Sequence, residues 1–201
     1  MKFLKVICAV MALLSILSLS ACGGKKGDNT ETESSNVSTV SKQIYLSNTT
    51  VGEISQKIGA LPPQGALALS LSRDNLSAPK ASFKYDVSLD NKTVATVSAA
   101  SDSENKASLF TIRWGYSEYT ADVNNDLLLL SVELLKCAWP ECNEESLKSL
   151  DMNFHLTTEY IDKIIDYNLV ETANAENGGF ISLGVNSGNV IITVSYPNIV
   201  E

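Results

Sequence analysis

Apolar and polar residues alternate with a period of two from residue 66 to residue 116, and this alternation limits the possible folds more than any other feature. It forms four runs, with a turn signal at Asp90 and Asn91 and a polar connection at residues 102–106. The apolar positions outside the return segment 92–99 are Leu67, Leu69, Leu71, Phe83, Tyr85, Val87, Leu89, Phe110, Ile112, Trp114 and Tyr116. Such alternation is typical of strands with one buried and one solvated face, so it predicts an antiparallel meander.

A short helix is predicted ahead of these strands. Thr50 and Glu53 have the spacing of a capping box, in which the threonine hydroxyl accepts a hydrogen bond from a backbone amide and the glutamate reaches back. Apolar residues then recur at helical spacing until Gly59, and the proline pair at 62–63 cannot continue a helix. We expect this helix to cover one side of the core.

Two more helices and a hairpin are predicted after the meander. Residues 126–136 are rich in leucine and should form the most buried helix, with Asn124 or Asn125 as its N-cap. A further helix is predicted from about residue 157 to 174, and a hairpin over residues 180–196.

This order of elements predicts an α+β fold, with an antiparallel sheet of five to six strands and two main helices packed on one face. Two small sheets packed together, with the helices at one end, are the alternative. The chain after the N-terminal region has about 150 residues, a length that one hydrophobic core can serve, so residues 50–201 are predicted to form a single domain.

The N-terminus has the order of a secretory signal, with Lys2 and Lys5 ahead of an apolar run at residues 6–17. Leu19, Ser20, Ala21 and Cys22 follow. This stretch resembles the signal peptide and lipobox of the bacterial lipoproteins. The resemblance implies that residues 1–21 are cleaved, that the Cys22 thiol carries a diacylglycerol, and that the new amino group is acylated, typically with palmitate.

Two other interpretations of the N-terminus are open. One is an ordinary cleavable signal with Cys22 present by chance. The other is a membrane-spanning helix, although the apolar run is shorter than the ~20 residues that a bilayer needs.

Residues 22–49 are predicted to be the lipidated cysteine and a disordered tether, because they offer little to bury. Since Gly23 and not aspartate follows the cysteine, the resemblance favours the outer membrane, facing the periplasm. In a host with a single membrane it implies the cell membrane.

The charge of the mature chain argues against nucleic acid as a partner. Removing residues 1–21 takes away two lysines and no acids, which leaves 13 basic residues against 23 acidic ones, a net charge near −10. Phosphate backbones require a positive surface, so no nucleic-acid partner is expected. A protein partner in the envelope is expected instead.

Cys137 and Cys142 are the cysteines that remain beside Cys22 after cleavage, and an oxidising envelope predicts a disulfide between them. A redox-active pair is less favoured, because such pairs usually enclose two residues. A metal site built from both cysteines and His155 would lack a fourth ligand with suitable spacing. No metal and no cofactor is therefore expected.

A calcium loop is the other candidate cation site. Asp122, Asn124, Asp126 and Glu133 stand at positions one, three, five and twelve of such a loop. Leu127 occupies the position where glycine makes the sharp turn, so a polar turn ahead of a buried helix is the preferred interpretation.

Two classes of function remain. The first is a non-catalytic protein-interaction module anchored in the envelope, such as an assembly factor, a complex subunit, or an inhibitor or immunity protein. The alternative is a small envelope hydrolase that uses His155, the single histidine, or a carboxylate pair. No nucleophile elbow or phosphate-binding glycine loop occurs, which favours the first class and predicts no catalytic residues.

The lipid anchor can be tested at one atom. Substituting Cys22→Ser should abolish palmitate labelling and detergent partitioning, because the thiol that accepts the diacylglycerol is gone. The far-UV circular dichroism spectrum should not change. A variant that stays in the membrane fraction would show that the apolar segment holds the protein there.

Overall fold

Within the described residues, a seven-stranded antiparallel sheet carries helices on one face. The computed structural model describes residues 44–77, 80–102, 105–143, 145–146, 161–164 and 170–197. Its elements are α1 (Val51–Gly59), β1 (Ala68–Asn75), β2 (Ser82–Leu89), β3 (Lys92–Ser101), β4 (Ala107–Gly115), a 3-10 turn (Tyr116–Glu118), α2 (Ala121–Ala138), β5 (Val170–Asn174), β6 (Phe180–Asn186) and β7 (Asn189–Ser195). The strand order is β1-β2-β3-β4-β7-β6-β5.

The α+β prediction is confirmed, with seven strands rather than five to six. All seven lie in one sheet, so the alternative of two packed sheets is wrong. The core lies between the sheet and the helices. Its largest fully buried side chains are Trp114, Trp139, Phe110, Leu46, Ile54, Ile58, Ile112, Leu130, Leu134 and Leu135.

The additional strand is β5, where the helix predicted to run to residue 174 was expected. Residues 161–164 are helical, with Ile161 and Ile164 fully buried, but Val170–Asn174 pairs with β6 over its whole length. Val170 and Thr172 are β-branched and therefore favour a strand. The start of the predicted helix lies outside the described residues.

The capping box of α1 is confirmed. The Thr50 hydroxyl accepts a hydrogen bond from the Glu53 amide at 3.2 Å, and the Thr50 amide donates to a Glu53 carboxylate oxygen at 2.8 Å. That backbone hydrogen bond, with the one from the Thr50 hydroxyl, lowers the pKa of Glu53. The helix starts where the sequence predicted, because its first amides are satisfied locally.

The folded part of the chain starts before residue 50. Leu46 is fully buried, and Asn177 donates from its side-chain amide to the Leu46 carbonyl at 2.5 Å while its oxygen accepts from the Leu46 amide at 3.4 Å. The Glu176 amide donates to the Ile44 carbonyl at 2.8 Å. Residues 44–49, which the sequence analysis placed in the tether, are therefore part of the domain.

α2 begins five residues earlier than predicted. Its N-cap is Thr120, which makes no side-chain capping bond, and neither Asn124 nor Asn125 serves as the cap. Asn124 is instead buried inside the first turns. Its oxygen accepts from the Trp114 indole at 3.2 Å, and its amide donates to the carbonyls of Tyr116 at 3.0 Å and Tyr119 at 3.2 Å.

Removing this amide should cost much of the protein's stability. We expect Asn124→Ala to lower the free energy of unfolding by about 2–4 kcal/mol, because it leaves the buried Trp114 indole without its acceptor and removes two hydrogen bonds to carbonyls of the segment that leads into α2. Chemical denaturation measures the change. The matched control is Asn125→Ala, an exposed neighbour on the same helix turn, expected within ±0.5 kcal/mol. Equal losses in both variants would contradict the role of Asn124.

Candidate functional site

The two faces of the sheet differ in what covers them. The inner face, which includes Trp114, Ile112 and Phe110 of β4, packs in the core with the helices. The opposite face, here called the outer face, carries alternate residues of the strands, and most of these are half-buried or exposed. No helix or strand of the described chain lies over it. Within the described residues, the outer face is therefore open to a ligand.

Five hydroxyl groups form a line across the outer face. The register pairs Ser98 of β3 with Thr111 of β4, Thr111 with Thr193 of β7, Thr193 with Ser182 of β6, and Ser182 with Thr172 of β5. Adjacent strands lie about 4.8 Å apart, so this hydroxyl row is about 19 Å long. Hydroxyl groups both donate and accept hydrogen bonds.

The hydroxyl row continues into two cations. Ser98 pairs with Lys84 of β2, and Lys84 pairs with Arg73 of β1. In the neighbouring row Arg113 of β4 lies beside Thr96 of β3, which in turn pairs with Asp86 of β2. The strands thus bring together residues that are far apart in sequence.

One ion pair occurs within this set. The Lys84 ammonium lies 2.9 Å from an Asp86 carboxylate oxygen, and this hydrogen bond lowers the pKa of Asp86. Arg73 and Arg113 are exposed, and neither makes an ion pair with another described residue. Three cations against one carboxylate give the outer face a positive character, on a chain whose net charge is −8.

A shallow groove crosses the outer face between β1 and β4. Its volume is ≈ 380 Å³. The side chains that border it include Arg73, Lys84, Thr96, Ser98, Leu109 and Thr111. Leu109 is 43% exposed and adds an apolar contact to a polar surface.

The outer face carries groups that can bind a partner. Its described residues include no histidine or cysteine, and its one carboxylate, Asp86, has a lowered pKa and a cationic partner. General acid–base catalysis needs a group that exchanges protons near neutral pH. Hydroxyl groups and guanidinium groups can instead hold a partner through hydrogen bonds and charge.

The predicted disulfide is absent from the structure, in which Cys137 and Cys142 are free thiols. The corner that the disulfide was expected to hold is held by Trp139. Its amide donates to the Leu135 carbonyl at 2.7 Å, its indole donates to the Tyr45 carbonyl at 2.7 Å, and its carbonyl accepts from the Cys142 amide at 2.9 Å.

The residues of the proposed calcium loop do not form a loop. Asp122, Asn124, Asp126 and Glu133 all lie in α2, and Asn124 is engaged with Trp114. Within the described residues no three acidic, histidine or cysteine side chains are grouped to hold a metal ion. Cys22 and His155 lie outside the described residues, so their predicted roles stay predictions.

Comparisons with known proteins give no relative. No protein-family model matches the chain, and no curated protein and no solved structure shows significant similarity to it. None of the described helices is long and apolar enough to cross a membrane.

The state of the two cysteines can be tested by alkylation. Burial raises the pKa of the Cys137 thiol and of the Cys142 thiol from 9.0 to about 11. A thiolate is the reactive form, so at pH 8 each native thiol should react roughly a hundredfold more slowly with iodoacetamide than in the unfolded chain. Mass spectrometry after timed quenching measures both rates.

The same shift has a consequence for stability. The folded pKa of each thiol is higher than its unfolded value near 9. The contribution of the two thiols to the free energy of unfolding is therefore fully present below pH 9 and is lost as the pH rises through about 11.

Two results of the alkylation experiment would contradict the structure. They are rapid alkylation of both thiols at pH 8 and a native mass two hydrogens lighter.

Proposed function

We propose that this protein is a lipid-anchored envelope lipoprotein that acts as a non-catalytic protein-interaction module, and that the outer face contacts its partner. One observation carries the proposal: a seven-stranded sheet leaves a whole face uncovered by described elements, and that face has hydroxyl and cationic side chains in register. A hydrolase of this size would be expected to concentrate its polar groups in a pocket.

The dimensions of the outer face favour a macromolecular partner. Seven strands at about 4.8 Å spacing give a width of about 29 Å, which exceeds a small-molecule pocket. The polar groups are spread along this width, and the groove between β1 and β4 is only one part of it. Protein interfaces of ordinary size use surfaces of this extent.

The charges on the outer face favour an acidic patch on the partner. Arg73 and Arg113 have no ion-pair partner among the described residues, and guanidinium groups bind carboxylates in a two-pronged geometry. Such complementarity raises association rates and fixes orientation more than it raises affinity. The acidic remainder of the chain would discourage binding elsewhere on the surface.

The proposed lipid anchor would determine where in the cell the interaction module is located. Lipidation of Cys22 would confine it to the envelope, with residues 23–43 between the lipid and Ile44, the first residue that the structure describes. Each buried methylene of an acyl chain contributes about 0.8 kcal/mol to membrane binding, so two or three chains hold a protein stably in the membrane. The partner is then expected in the same compartment.

Photo-crosslinking tests whether the outer face binds. A benzoylphenylalanine at position 111, in place of Thr111, should give discrete protein adducts in native membranes. Arg113→Glu should lower their yield at least tenfold, because it reverses a charge next to the crosslinker. The matched control is Lys57→Glu, an exposed charge reversal on α1, which should leave the yield unchanged.

Two results would overturn the proposal. One is the lack of any adduct at position 111, and the other is an equal loss in the Arg113→Glu and Lys57→Glu variants. The alternative, a small envelope hydrolase, predicts a different result. A folded His155→Gln variant that keeps its crosslinks and loses a measurable cellular activity would favour it.

A further inference from the structure

β1 is an edge strand with one side unpaired. It stands first in the strand order, and β2 is its one neighbour in the described sheet. Residues from Ser70 to Asn75 are all exposed, so nothing in the described chain covers this edge. In an antiparallel sheet the backbone groups of alternate residues point to opposite sides, which leaves a row of amides and carbonyls on β1 directed at solvent.

An apolar crevice of ≈ 180 Å³ lies beside this edge. It is lined by Ile58 at the end of α1, by the loop residues Leu61, Pro62, Pro63 and Leu67, and by Leu69 at the start of β1. A hydrophobic cavity of about 150 Å³ is large enough for a benzene ring. The crevice therefore has the size and the lining for one large apolar side chain.

Tyr85 also lines the crevice, and its hydroxyl is already satisfied. It donates to the Ser55 carbonyl at 3.0 Å, in the buried contact between β2 and α1. An occupant does not have to supply a hydrogen bond there, so an entirely apolar group fits without leaving that buried polar group unpaired.

We propose that β1 and this crevice together accept an extended segment of a partner protein. The segment adds to the sheet as an eighth strand along β1 and inserts one aromatic or large aliphatic side chain into the crevice. Free backbone groups require an extended peptide, and the crevice specifies the side chain. This site rests on the proposed function in one respect, that its occupant is a protein.

The sequence of β1 limits where the segment can bind. The register of β1 on β2 shifts between Leu71 and Arg73, so Ser72 is a bulge, and the charged residues Arg73 and Asp74 follow it. Bulges and charges on an edge strand are features that discourage pairing. The accessible part of the edge is therefore residues 68–71, next to the crevice.

A second copy of the chain is a poorer occupant than a different protein. Each mature copy would carry a net charge near −10, and like charge opposes self-association. In a symmetric antiparallel pairing centred on β1, the bulged, charged half of each copy would also have to pair with residues 68–71 of the other. A short apolar segment of another protein meets neither obstacle.

The test uses peptides selected from a random twelve-residue display library on the full-length protein in detergent. Selected peptides should contain an aromatic or large aliphatic residue within an alternating pattern. Leu69→Trp fills the crevice and should weaken their binding at least tenfold in fluorescence polarisation. The matched control is Leu76→Trp, a 40% exposed leucine just beyond β1, which should leave binding unchanged.

The backbone contact is tested on the peptide itself. Methylating alternate amides of a selected peptide gives two versions, and only the version methylated on the amides that face β1 should lose binding.

A second crevice variant is used if Leu69→Trp fails to fold. Gln64→Trp fills the crevice from its loop side and takes the place of Leu69→Trp in the binding assay.

Three outcomes overturn the strand-addition site. They are binding that survives both crevice variants, equal binding of both methylated peptides, and a dimer of the free chain that Leu69→Trp dissociates. Adducts at position 111 report on the outer face independently. If the Leu69→Trp variant still forms these adducts and still binds the selected peptides, the strand-addition site is rejected and the proposed function is retained.

Discussion

The arrangement of sheet and helices depends on one buried amide. Asn124 is 3% exposed and joins the first turns of α2 to the end of β4, the middle strand of the seven. Its oxygen accepts a hydrogen bond from the Trp114 indole, and its amide donates to two carbonyls of the connection that leads into the helix. A buried amide with all its partners in place has few alternative positions, so α2 is fixed against the inner face. No described helix lies over the outer face.

The other end of α2 is fixed by the N-terminal segment of the domain. Trp139, which caps α2, is 1% exposed and bonds to the Tyr45 carbonyl, and the Tyr196 hydroxyl donates to the Ala138 carbonyl. Asn177 holds the adjacent Leu46 on both its backbone groups. The segment that leads from the proposed anchor is thus bound to the end of the longest described helix and to the turn after β5. Tension on the proposed anchor would be resisted by these contacts at the end of α2 and beside β5.

The sequence was sufficient for the elements whose patterns are local. The period of two predicted β2, β3 and β4, and the capping box predicted the start of α1. β5 was missed because its five residues follow a helical pattern with no turn signal, and their β-branched side chains were not weighed against it. The early start of α2 was missed because its N-cap makes no side-chain bond that could identify it.

The candidate site could not be predicted for a different reason. Each residue of the hydroxyl row is an ordinary polar position of an alternating strand, and Thr111 and Thr193 are brought together only when β7 pairs with β4. Strand order across the sheet carries that information, and no local pattern specifies it. Because β5 was not predicted, Thr172 was not recognised as a residue of the sheet. Asn124 was considered as a cap and as a calcium ligand, since nothing in the sequence indicates that Trp114 would need its oxygen.

The outer face and the β1 edge can serve one partner together. The register places Ser70 of β1 beside Asp86 on the outer face, and Leu69 beside Val87 on the inner face. A strand added along β1 would continue this alternation, with one set of its side chains directed toward the crevice and the other extending the outer face by one position. The partner's chain beyond that strand would then lie close to Arg73 and Lys84, where acidic side chains are favoured. Strand addition would supply affinity through backbone and apolar contacts, while the cations and hydroxyl groups would select which partner can lie across the sheet.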